Sequence, residues 1–122
     1  GLPKREFLFV DDLAEASIFI LENISIENEN LYDIEKNFIG ILNIGSGFDI
    51  SIKELAKLVS SIIGYRGDII WDYSKPDGTP RKLLDISKSK KLGWSAKTSL
   101  KKGIELTFQS YLKDLENKTA RI

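Results

Sequence analysis

The sequence contains no cysteine, no histidine and no methionine. Without cysteine there is no disulfide framework and no thiolate to serve as nucleophile or metal ligand. Without histidine the usual general acid–base at neutral pH is missing, which leaves Asp, Glu, Lys and Tyr to move protons. Without methionine, even at position 1, the chain reads as a segment of a longer protein. No apolar run approaches the length of a membrane span and no signal peptide is visible, so cytoplasm is the default compartment. An excess of one charge is lacking too: 18 Lys and Arg balance 18 Asp and Glu. That balance argues against a general nucleic-acid or membrane-surface binder, which needs a positive surplus.

What is present suits one soluble domain over residues 1–122. Hydrophobic residues make up 42% and charged residues 30%, too apolar a mixture for a disordered chain. Residues 1–5 read as a loop, and Phe7-Leu8-Phe9-Val10 as a short buried strand. Asp11 and Asp12 follow. Either can cap a helix running to about Asn23, and Asp12 with Glu15 has capping-box spacing. Metal ligation is the alternative for this pair, but no third ligand stands near in sequence. Residues 25–37 are acidic and irregular, a surface connection. Residues 38–44 read as a second strand. Gly45-Ser46-Gly47 then reverses the chain. Phosphate binding by this turn is the weaker reading, because no third glycine stands at the dinucleotide spacing.

Ser51-Ile52-Lys53-Glu54 is a capping box. The helix it opens continues to Ile63, with Ile52, Leu55, Ala56, Val59 and Ile62 on one face, and Gly64 stops it. Residues 68–72 read as a third strand. Asp85 or Ser87 opens a short helix ending near Leu92. Ser99 opens the last helix, whose apolar stripe holds Leu100, Ile104, Phe108, Tyr111 and Leu115. Gly103 inside it reads as a point of close packing. Trp71 and Trp94 read as packing residues. Short strands alternating with three to four helices give an α/β fold class. Three short strands make a thin sheet for a complete α/β domain.

The segment 74–85 is the most suggestive. It holds two of the three prolines and the cations Lys75, Arg81 and Lys82. Pro76-Asp77-Gly78 is turn chemistry. A rigid loop with cations and one carboxylate suits an anionic ligand that also carries hydrogen-bond donors, such as a nucleoside diphosphate. An ordinary solvated loop is the alternative.

Three segments together carry a resemblance that covers residues 3–115. Arg5-Glu6-Phe7-Leu8-Phe9-Val10-Asp11-Asp12-Leu13-Ala14 resembles a segment of the extended short-chain dehydrogenases that act on nucleotide sugars. Asn43-Ile44-Gly45-Ser46-Gly47, with Ser51-Ile52-Lys53-Glu54-Leu55-Ala56, resembles their next shared segment. Residues 75–85 followed by Leu92-Gly93-Trp94 are more selective and are similar to the GDP-L-fucose synthases. The acidic stretch 25–37 departs from the pattern, and nothing is carried over there.

The resemblance implies the small C-terminal substrate domain of such an enzyme. The parent epimerises GDP-4-keto-6-deoxy-D-mannose at C3 and C5 and reduces C4 with NADPH. Its Rossmann domain binds NADPH and carries the Ser-Tyr-Lys, Cys and His residues of the chemistry. This chain is then expected to hold no catalytic residue and no Tyr-x-x-x-Lys pair, to bind neither NADPH nor metal, and to be inactive alone. The parent is expected to pair as a homodimer through the absent domain. Its partner here is a GDP-sugar, with no nucleic acid and no membrane.

Arg5, Asp77 and Lys82 match positions that touch the GDP. An Arg fork and a Lys point charge suit phosphate oxygens. Asp77 accepts from ribose hydroxyls or from a guanine edge. Arg81 and Lys75 are expected to pair with nearby carboxylates. Two other readings remain open: the substrate part of another nucleotide-sugar epimerase or dehydratase, and a non-catalytic sugar-nucleotide binding module.

Overall fold

A computed structural model describes residues 1–120. Three short strands form one mixed sheet in the order β2-β1-β3: β1 Lys4–Glu6, β2 Asp49–Ser51 and β3 Arg81–Lys82. β1 and β2 run antiparallel, β1 and β3 parallel. Four helices accompany them: α1 Val10–Asn23, α2 Ile52–Ile63, α3 Ser87–Lys91 and α4 Leu100–Glu116. This is a small α/β segment. No helix is long and apolar enough to cross a membrane among the described residues.

The helices stand close to where local chemistry puts them. Ser51 accepts from Glu54 N–H while the Glu54 carboxylate accepts from Ser51 N–H, the reciprocal arrangement expected of the capping box. Gly64 closes α2 in the left-handed conformation, φ 72°. Ser99 caps α4 by accepting from Lys102 N–H. A Cβ at Gly103 would lie 3.3 Å from the Phe9 side chain, so the glycine lets α4 approach the segment before α1.

The strands differ from the sequence reading. Residues 7–9 carry no ladder, and β1 precedes them, inside and just after the segment read as loop. Residues 38–44 and 68–72 are not strands either. Both runs are apolar, but a strand needs a partner for its N–H and C=O groups, and neither finds one beyond a single Tyr32–Phe38 bridge. Ile41 and Ile70 remain exposed. The ladder falls instead to polar triplets and pairs whose alternation is too short to read from sequence.

Asp12 does not cap α1. Phe9 stands at the N-cap without a side-chain bond, and Asp12 lies inside the first turn, buried. Its carboxylate accepts from Lys97 N–H at 3.1 Å, Thr98 N–H at 2.9 Å and Thr98 Oγ1 at 2.8 Å. It therefore ties the entry to α4 onto α1. Ile86 and Trp94 are buried with Ala16, which agrees with Trp94 as a packing residue. Trp71 is half-buried and packs its ring against Gly1.

Candidate functional site

Side chains alternate faces along a strand, and registered partners share a face. Lys4 pairs with Arg81, and Arg5 with Lys82. The alternation thus separates two adjacent cations. Arg81 reaches across the sheet to Asp49, with which it forms a hydrogen-bonded ion pair. Lys82 goes to the face of Arg5, and both line a concavity of about 270 Å³ with Glu6, Leu8, Ile44, Gly45 and Leu84.

Arg5 does not meet Asp11 or Asp12. Its Nη1 donates to Lys4 O at 2.6 Å and to Thr79 O at 2.8 Å. Nη2 lies against Gly78, where a Cβ would sit 3.4 Å away. Nη2 and Nε make no hydrogen bond among the described residues, so the fork is anchored on one side and retains donors on the other. Asp77 stands next to that contact on the same loop, exposed, and does not line the concavity. The structure therefore brings Arg5 and Lys82 together and links Arg5 to the backbone of the loop carrying Asp77. Lys75 is exposed and makes no ion pair among the described residues, unlike the expectation for it.

Pro76-Asp77-Gly78 is not the turn. The chain reverses at Tyr73 and Ser74, where the Asp72 carboxylate accepts from Ser74 N–H at 2.9 Å and from Ser74 Oγ at 2.6 Å. Those bonds hold the Asp72 carboxyl below its ordinary pKa. The Asp72 side chain closes the reversal by accepting from the backbone two residues on, and residues 76–79 run on without regular structure.

The Arg81 guanidinium donating to Asp49 holds that carboxyl below its ordinary value of 3.8 and raises the Arg81 pKa. A carboxyl more acidic folded than unfolded stabilises the fold above its unfolded pKa and loses that contribution as pH falls through the folded value. Asp49→Asn is expected to flatten the loss of Tm on acidification below pH about 4. Melting curves of variant and wild type across that window check this.

The turn at residues 45–47 does hold an anion, but the anion is the chain's own Glu6. Gly47 N–H donates to Glu6 Oε1 at 2.6 Å and Ser46 Oγ to the same oxygen at 3.3 Å. Sequence reasoning passed over Glu6, because its partners stand 40 or more residues away.

The Tyr-x-x-x-Lys spacing, expected to be absent, does occur at Tyr32 and Lys36. These two do not share a helix face. Tyr32 follows a 3-10 turn, donates to Ile26 O at 3.1 Å and sets its ring edge-on to Phe38, while Lys36 turns the chain at φ 64°. A second concavity, about 500 Å³, lies between α2, α4 and residues 7–10. Phe7, Phe9, Val59, Ile104 and Phe108 line it, and no cation does, so it offers nothing to a diphosphate.

No protein-family model matches the chain. GDP-L-fucose synthase 1 of Arabidopsis thaliana is 46% identical over 119 residues, which cover 97% of this chain and 33% of that protein. The chain is homologous to one segment of the GDP-L-fucose synthases. It spans about a third of the length of the curated relatives it matches. The crystal structure of a GDP-6-OMe-4-keto-L-xylo-heptose reductase from Campylobacter jejuni superposes with a TM-score of 0.83 at 38% identity, over 92% of this chain and 32% of that one. A GDP-mannoheptose C4 reductase from the same organism, with NADP bound, gives 0.74 at 38% identity, over 92% and 32%. The segment thus matches a portion of these reductase structures, and its α/β fold class is the one expected from its sequence.

Proposed function

We propose that this chain is the GDP-sugar-binding part of an NADPH-dependent GDP-L-fucose synthase. That enzyme epimerises C3 and C5 of GDP-4-keto-6-deoxy-D-mannose and reduces C4. The observation that carries the reading is the registered pair Arg5 and Lys82, two cations on one face of adjacent parallel strands in a shared concavity. Arg5 presents its remaining donors to the diphosphate and Lys82 adds a point charge. Asp77, on the loop that Arg5 anchors, accepts from the ribose or the guanine. NADPH binds to, and the epimerisation and reduction take place on, a Rossmann portion outside this chain, and this segment alone is inactive.

In the full-length enzyme, Lys82→Ala is expected to raise KM for the GDP-sugar about tenfold with kcat changed less than about threefold, because Lys82 binds substrate and transition state alike. Steady-state kinetics check this. A loss confined to kcat would remove Lys82 from the binding role.

A further inference from the structure

Glu6 ends β1, and its carboxylate gathers donors from two distant parts of the chain. Gly47 N–H and Ser46 Oγ–H reach Oε1, and Leu84 N–H reaches Oε2 at 2.9 Å. Leu84 stands two residues beyond Lys82. β3 has only two residues in its ladder, too few to fix its direction by backbone pairing alone. The Leu84 bond supplies a further point of attachment just past Lys82. Glu6 also lines the concavity that holds Arg5 and Lys82. The carboxylate keeps its charge, but its oxygens are turned to Gly47 N–H and Leu84 N–H. Gly45 makes the arrangement possible: a Cβ there would lie 2.5 Å from Glu6 Oε1, while its φ lies outside the left-handed region. A side chain at 45 would push the Glu6 carboxylate, the flexible end of its side chain, off its present position without straining the backbone.

We infer that Glu6 is a positioning residue: its carboxylate clasps the 45–47 turn and the exit of β3, and so holds Lys82 beside Arg5 at the spacing that grips a diphosphate. The inference rests on the reading of Arg5 and Lys82 as phosphate-binding cations. Glu6→Gln keeps the shape but turns an N–H₂ group toward one of the backbone donors. Gly45→Ala leaves Glu6 in place and displaces its carboxylate. The two changes perturb one contact from opposite sides.

Both variants, Lys82→Ala and the double variant Glu6→Gln/Lys82→Ala are to be made in the full-length enzyme, with GDP affinity read by calorimetry well below each variant's Tm. Glu6→Gln and Gly45→Ala are each expected to weaken GDP binding about tenfold. The double variant is expected to bind within about threefold of Lys82→Ala alone, because coupled residues are not additive. Fully additive losses, or GDP affinity unchanged or tighter in both Glu6→Gln and Gly45→Ala while Lys82→Ala binds weakly, would overturn the positioning role and leave the cation pair standing. Unchanged affinity in Lys82→Ala would overturn the cation pair itself.

Discussion

Arg5→Ala is expected to weaken GDP binding to the full-length enzyme about 100-fold, more than any other single change in this segment. Two losses combine in it. The guanidinium's unengaged donors disappear, and a charge-assisted hydrogen bond to an ionised partner is worth about 1.5–3 kcal/mol. The anchor on Thr79 O disappears as well, which leaves the end of the loop carrying Asp77 tied to β1 through Lys4 N–H donating to Pro80 O at 2.8 Å. Arg5→Lys restores the charge but not the fork, which meets two carbonyls through one nitrogen and sets the other beside Gly78. It is expected to recover less than half of the lost binding free energy. Calorimetric titration of GDP into the three proteins measures both effects. Full recovery with lysine would mean that only charge at position 5 matters.

The second large effect concerns stability. Asp12→Ala removes a buried acceptor and leaves two backbone N–H groups and one hydroxyl without their partner. Unpaired buried donors cost about 1–3 kcal/mol each, and some will find water, so a net loss of about 3 kcal/mol is expected. The neighbouring Asp11→Ala is expected to stay within about 0.5 kcal/mol, since that carboxylate is exposed and caps nothing. Urea unfolding of the two variants separates the roles. Equal losses would restore the capping role that the sequence suggests for the pair.

Features that depend on residues a few positions apart were legible in the sequence. Ser51 and Glu54 read as a capping box and form one, and Ser99 and Gly64 mark helix ends as their chemistry requires. Pairing across the chain was not legible. The runs at 38–44 and 68–72 have strand-like composition, yet beyond the single Tyr32–Phe38 bridge they form no ladder among the described residues, whereas the polar residues of β1 and β3 pair across more than 70 positions. Asp12 looks like a local cap in the sequence because its true partners stand 85 and 86 residues away. Glu6 carries no local signal at all, since Leu84 lies 78 residues on.

The cations of the site were legible for a different reason. Arg5 and Lys82 were singled out by resemblance, and the register of β1 against β3 then places them on one face. The same register explains why Arg81, adjacent in sequence, is engaged by Asp49 instead. Asp77 is the least determined of the three, because its loop touches Arg5 through backbone while its exposed carboxylate stands 4.0 Å from the Gly1 amino group.

Hydrogen exchange of the full-length enzyme with and without saturating GDP tests the central claim most directly. GDP bound between Arg5 and Lys82, with Asp77 beside it, is expected to slow exchange in the peptides covering residues 4–6 and 77–82. The peptides of α4, on the far side of the apolar groove, are expected to remain unchanged. Protection confined to sequence outside this chain, with both of those peptides unaffected, would contradict a nucleotide-binding role for the segment.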